Sequence, residues 1–271
     1  MFLIMMTISM RGRAKVSNYL DFQKTDQWKI QAVINIAKEI AEQNKIVKME
    51  KLFNTSKKRL GINSQKLKFI LKYLFDNKIL IEDSKIIKSE ALSNENRAEI
   101  FKFIKKYPGV NFSALKNNVL PESNLGTGQI IWHLEILMNF RYINKMTFKK
   151  YTLYLPYEMA PEQALLYFLL RDRINRKIIK ILNDKGSMKQ ADIPQAINES
   201  KGNIYYHIKT LNEEKLLISE KISGNLEARL NAVNKDLLIE IIEDVENKLI
   251  NLKKKYISSI SDSIEEIVKI Q

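Results

Sequence analysis

A helix-then-strand pattern occurs three times along the chain, and no other feature restricts the fold as much. In GTGQIIWHLEILMNFRYINK, residues 126–145, Ile130, His133, Leu134 and Leu137 recur at helical spacing, and Tyr142 and Ile143 begin a strand. Thr127 stands where a helix N-cap belongs. The same register returns in KGNIYYHIKTLNEEKLLIS, residues 201–219, where Ile204, His207, Ile208 and Leu211 take the helix positions and Leu216 and Leu217 the strand positions. The chain has 2 histidines, and both fall on one repeat position. A weaker copy, SQKLKFILKYLFDNKILIE at residues 64–82, uses Leu67, Ile70, Leu71 and Leu74, then Ile79 and Leu80, with Ile70 in place of the histidine. The copies lie about 60 to 75 residues apart, which is the size of a small domain and not of a solenoid unit.

The intervening sequence fits that spacing. A basic arm occupies 1–24, with the apolar start MFLIMMTISM read as a disordered leader or as the product of an upstream start codon, Met10 being the true start. The first domain, 25–92, opens at Thr25 and Asp26 with an apolar stripe at Trp28, Ala32, Val33, Ile36, Ala37 and Ile40. A short helix follows at 48–53, then the turn-rich NTSKKRLGINSQ, the copy itself, and a hairpin closing at Asp83 to Lys85 with Ile86 and Ile87 returning. The second domain, 93–160, has a helix burying Ile100, Phe101, Phe103 and Ile104 and ending at Pro108-Gly109. A helix from Phe112 to Val119 follows, with Ser113 a possible cap, and two strands turn near Phe148 to Lys150. The third, 161–233, is led by one long helix from Pro161 to Gly186 and closed by a hairpin around Gly224. A tail, 234–271, lacks Gly and Pro. Its Ile242, Val245, Leu249, Leu252 and Tyr256 alternate steps of three and four, as a dimeric coiled coil would, the competing expectation being that this stripe packs back on its own domains.

Charge bears on the partner. The chain has 45 Lys+Arg against 31 Asp+Glu, net +14, which favours a polyanion. An AT-rich coding bias would also enrich lysine. Residues 1–94 carry 18 basic and 9 acidic side chains, whereas the tail carries 6 and 8. With no cysteine, disulfides, thiolate metal sites and a cysteine nucleophile are excluded. No GxxxxGK[ST], GxSxG or HExxH occurs, and no His/Asp/Glu cluster has metal-ligand spacing, so neither an enzyme nor a metal or cofactor is expected. The apolar start is too short to span a bilayer, and a cytoplasmic location is expected. Each histidine lies on a buried stripe. It reads as a core histidine with one ring nitrogen bonded to backbone, the sharper alternative being a metal or pH site.

Three helices, a turn before the third, then a two-stranded hairpin is the winged helix-turn-helix plan. ENRAEIFKFIKKYPGVNFSALKNN with GTGQIIWHLEIL, and RINRKIIKILNDKG with KGNIYYHIKTL, resemble archaeal winged-helix transcriptional regulators related to the ArsR-like group. The match lies in Pro108-Gly109 after the first helix and in the aromatic-His core at Trp132-His133-Leu134 and Tyr206-His207-Ile208, over about 93–233. The resemblance, extended to the first domain by the repeat register because that copy lacks the histidine and the Pro-Gly, implies three tandem winged-helix domains; with the tail's period, the expected fold is α+β, mainly α with small β-hairpins, ending in a long C-terminal helix. The resemblance also implies a regulator of double-stranded DNA, and the stripe on the tail implies a dimer.

Side chains free to read a major groove lie opposite the core positions. They are Ser64, Gln65, Lys66, Lys68 and Lys72 in the first copy, with Lys57, Lys58 and Arg59 upstream for phosphates. The third copy offers Lys201, Asn203, Tyr205, Tyr206 and Lys209. The second offers Thr127 and Gln129, but also Ile131, Trp132 and Glu135, which suit a protein contact better, with Lys149 and Lys150 at its wing tip for the DNA backbone. The competing function is a winged-helix interaction or scaffold subunit, as in the transcription machinery or ESCRT-II-like assemblies.

Overall fold

The computed structural model describes residues 27–43, 45–119 and 125–268, side chains excepted at 234 and beyond 251. The expected arm at 1–24, the helix start at Thr25 and Asp26 and the side chains of Leu252 and Tyr256 fall outside these. The described chain is mainly helical, with two small three-stranded antiparallel sheets. It packs as two units, one formed by residues up to 102 with 118–144, the other by 103–117 with 145 onward.

In the first unit α1 covers 27–42, and Val33, Ile36, Ala37 and Ile40 are buried as the stripe requires, while Trp28 is exposed. Helix α2, Met49–Leu60, runs well past Phe53, so NTSKKRL is helical and not a turn. Leu52 and Ser56 keep one face inward, and Lys57, Lys58 and Arg59 fall in the last turn, where cations complement the helix dipole. Gly61, at φ 61°, ends it. Asn63 then caps α3, Ser64–Asp76, its Oδ1 accepting from the Gln65 N–H at 2.8 Å. The helices α1 to α3 enclose one apolar cluster that includes Leu67, Ile70, Leu71 and Leu74.

The hairpin expected after α3 does not form a ladder. Ser84 makes an isolated bridge to Val47, and the Lys88 N–H reaches the Ile79 carbonyl at 3.0 Å. The Ser84 hydroxyl both accepts from the Ile86 N–H and donates to the Ile86 carbonyl, so a local turn uses the groups a strand would need.

Helix α4, Glu95–Lys106, starts at Asn94, whose Oδ1 accepts from the Arg97 N–H at 3.1 Å, and buries Arg97, Ile100 and Ile104. The Pro108-Gly109 turn leads into a two-residue strand β1, Val110–Asn111, and then α5, Phe112–Val119. Asn111, not Ser113, supplies the cap to α5, accepting from the Ala114 N–H at 2.8 Å. Helix α6 is Thr127–Asn139. Gly126 takes the N-cap position, so Thr127 is the first helical residue and not the cap. Strands β2, Ile143–Phe148, and β3, Tyr151–Pro156, turn at Lys149-Lys150, and the sheet order is β1-β3-β2.

The expected long helix from Pro161 is two helices, α7, Pro161–Leu170, and α8, Arg173–Lys185. Asp172 breaks it by capping α8, its Oδ1 accepting from the Ile174 N–H at 2.7 Å. Next come β4, Ser187–Lys189; α9, Ile193–Ile197; α10, Lys201–Glu213; and β5, Leu217–Ile222, with β6, Asn225–Leu230. The sheet order is β4-β6-β5. Two features fix the Tyr107–Gly109 turn against α7 and the α7–α8 junction. Gly109 has φ 71°, and a Cβ there would lie 2.2 Å from the Ala164 carbonyl oxygen. The Arg171 guanidinium donates to the carbonyls of Tyr107 at 2.8 Å, Gly109 at 3.1 Å and Pro108, and burial lowers its pKa to about 10.

Helix α11, Lys235–Val268, corrects the expectation of a free stripe. Ile242 and Val245, read as a dimer seam, are 1% and 4% exposed. With Leu238 and Ile241 they complete an apolar cluster with Leu166, Leu169 and Leu170 of α7 and Ile178, Ile179 and Leu182 of α8, and Leu249 packs at its edge. The tail therefore begins as part of the second unit's core. Among the described residues no helix is long and apolar enough to cross a membrane.

Candidate nucleic-acid interface

The three repeats fold into helices of equal length, 13 residues each, with buried side chains at equivalent positions. Leu67, Ile70, Leu71 and Leu74 in α3 match Ile130, His133, Leu134 and Leu137 in α6 and Ile204, His207, Ile208 and Leu211 in α10. That shared inward register determines which side chains each helix turns outward.

On α3, Gln65, Lys68 and Lys72 are exposed, while Ser64 and Lys66 are half-buried. Lys57, Lys58 and Arg59 are exposed on α2, and Arg59 is ion-paired with Glu39. Lys68 and Lys72 border a groove of about 650 Å³ together with Glu50, Asp76 and Glu82, so the cationic row on α3 meets a mixed-charge rim. On α10, Lys201, Asn203, Tyr205, Tyr206 and Lys209 are all exposed, the two tyrosines at 66% and 59%. Lys201, Tyr205 and Lys209 follow one another at intervals of four, which places them on one helical face.

Helix α6 differs. Thr127 and Gln129 are exposed, but the Gln129 Oε1 accepts from the Gly126 N–H at 2.9 Å and so helps start the helix. Trp132, 51% exposed, lies beside Ile131 and carries the Arg97 guanidinium 5.6 Å from its ring centroid. Exposed Glu135 adds a negative charge.

Lys149, read as a free wing-tip contact, is engaged within the fold. Its Nζ is 3.2 Å from the Thr210 Oγ1, 3.2 Å from a Glu213 carboxylate oxygen and 5.7 Å from the Tyr206 ring centroid. Lys150 is exposed, 5.5 Å from the Tyr151 ring. The β2–β3 turn thus brings together with α10 two groups that the sequence assigned to separate domains.

Beneath the outer faces, the histidines have unlike partners. His207 Nδ1 pairs with Asn175 Oδ1 at 2.8 Å, a side chain where backbone was expected, and the Asn175 amide donates to the Leu169 carbonyl at 2.7 Å. The equivalent cap-plus-three position of α4 is Arg97, whose Nε donates to the Ala91 carbonyl at 2.5 Å. His133 Nδ1 has no hydrogen-bond partner among the described residues. Burial, then the nearby Arg97 charge, lowers the His133 pKa.

No family model matches the chain, and no curated protein does. The crystal structure of NadR in complex with 4-hydroxyphenylacetate is similar over 36% of this chain and 76% of its own, at 17% identity and a TM-score of 0.26. The functional reading therefore rests on the chain's own residues.

Three elements of the surface went unnoticed in the sequence: Arg97 beside Trp132, Asn175 beneath α10, and the Thr210 and Glu213 pair that holds Lys149. The first two had a signal, since a polar residue stands three positions after the capping residue in both α4 (Arg97 after Asn94) and α8 (Asn175 after Asp172), where a purely apolar face would be expected. The third had none, because Lys149 and Glu213 lie 64 residues apart.

Proposed function

We propose that the chain is a cytoplasmic, sequence-specific, double-stranded DNA-binding transcriptional regulator built from a helical first domain without a hairpin wing, 25–92, and two winged-helix domains, 93–160 and 161–233. The observation that carries this is the outer face of α10, where Lys201, Asn203, Tyr205 and Lys209 are all exposed while the opposite face fills a core. A helix of that kind fits a major groove, its amide able to pair with a base edge and its lysines with phosphates. Helix α3 supports the same role through Gln65, Lys68 and Lys72, with Lys57 and Lys58 as flanking phosphate contacts.

The domains divide the work. The second uses Ile131, Trp132 and Glu135 on α6 for a protein partner, because an exposed aromatic with a carboxylate beside it suits an interface and repels phosphate. This is the observation that favours a scaffold role for part of the chain. Dimerisation is built on α11 beyond the residues that join the core, with Leu252 and Tyr256 continuing the stripe. Repeated selection of random duplexes on the full chain tests the proposal. Convergence on one motif supports a regulator, and unselective retention or none at all supports the scaffold.

A further inference from the structure

Glu213 is the last residue of α10, followed by Glu214. Carboxylates at a helix C-terminus oppose the helix dipole, so neither is placed there for helix stability. Glu213 instead faces Lys149 of the β2–β3 turn at 3.2 Å, with the Thr210 hydroxyl also 3.2 Å from that ammonium and the Tyr206 ring beneath it. Both members of the ion pair are part-exposed, with side-chain accessibilities of 37% and 45%. An ion pair this exposed holds its partners weakly and exchanges readily for another anion. A carboxylate held by an ammonium, beside an outward-facing cationic helix, occupies the place a backbone phosphate would take.

We propose that Lys149, positioned by the buried Thr210 hydroxyl that accepts from its ammonium, forms a phosphate-binding site for the backbone of duplex DNA, and that Glu213 closes this site in the free protein. The inference rests on the DNA-binding reading of α10 and adds its regulation. Glu213 keeps Lys149 through loose encounters with a duplex, and a phosphate displaces it only where α10 is seated on its own sequence. The free chain thereby lowers its affinity for stray polyanions, and the wing contact is kept for a seated complex.

The test uses the full chain, a fluorescein-labelled mixed-sequence duplex and anisotropy titrations over a salt series. Glu213→Gln keeps the side chain's size and removes its charge. It is expected to bind several-fold more tightly than the wild type and to steepen the slope of log affinity against log salt by about one, the signature of one further phosphate contact. Lys149→Gln added to Glu213→Gln should return both quantities to the wild-type values, while Lys149→Gln alone should change little. Equal affinity and slope for Glu213→Gln and wild type overturn the inference. So does a Lys149→Gln effect as large in the wild type as in the Glu213→Gln background, since Lys149 would then already be on the duplex. Absence of binding by every variant at the lowest salt overturns the DNA reading itself and the inference with it, and is distinguishable because no titration curve appears.

Discussion

Substituting Gly109 by alanine should be the most damaging single-methyl change in the second unit. The residue has φ 71°, and an added Cβ would stand 2.2 Å from the Ala164 carbonyl oxygen and 3.1 Å from its carbon. Both atoms are backbone in α7, so no side chain can swing aside. Two costs follow. An L-residue at positive φ costs about 1–2 kcal/mol, and overpacking against a fixed neighbour costs a further ~1–3 kcal/mol. Together they amount to about 3–4 kcal/mol, a large share of the stability of an ordinary domain. Gly224→Ala separates the two, because Gly224 has φ 82° and no atom within 4 Å of the added methyl. It bears the conformational cost alone. Equilibrium urea unfolding, followed by far-ultraviolet circular dichroism, should show Gly109→Ala losing about 1–3 kcal/mol more than Gly224→Ala, the difference being the overpacking cost. Equal losses would refute the close approach of the Pro108-Gly109 turn to α7.

Arg171→Lys should destabilise the same unit by about 2 kcal/mol, since one ammonium cannot replace a guanidinium that reaches three carbonyls; a urea midpoint unchanged from wild type contradicts this. His133 has its pKa lowered in the folded chain, first by burial and then by Arg97. The unfolded chain therefore binds the extra proton more readily, so the stabilisation is fully present above the unfolded pKa, about 6.5, and is lost as pH falls below it toward the folded pKa. Thermal melts from about pH 7 to pH 5 should show a falling midpoint that flattens in His133→Gln, and identical pH profiles for the two proteins would exclude this role for His133.

Much of the local structure was legible because helical spacing and caps are local. Phe112 to Val119 was read to the residue, and the buried positions of α3, α6 and α10 agree with the repeat register. The two-residue strand β1 and the three-residue β4 are too short to carry a period, and each is defined by its pairing with a distant strand. The break between α7 and α8 has neither Gly nor Pro. Its mark is Asp172, which reads equally as a helix-surface acid until its side chain is seen to cap. In the tail, the apolar stripe was visible, but its partner was not. A period of three and four states that a face is buried and leaves open what covers it, and for Ile242 and Val245 the cover is α7 and α8 of the same chain. On the interface, exposure of the α10 side chains followed from the register, whereas the capture of Lys149 by Glu213 depends on tertiary approach and has no trace in either segment alone.

In the proposed function, outward-facing lysines on the repeated helices bind a duplex. This binding is tested most directly by titrating a labelled duplex with the full chain and with a variant carrying Lys68→Glu, Lys72→Glu, Lys201→Glu and Lys209→Glu, across a range of salt. Wild-type affinity should fall steeply and linearly on a logarithmic salt scale, with a slope close to 0.9 per phosphate contact, and the variant should bind far more weakly with a shallower slope. Affinity indifferent to salt, or a variant that binds as the wild type does, would contradict it.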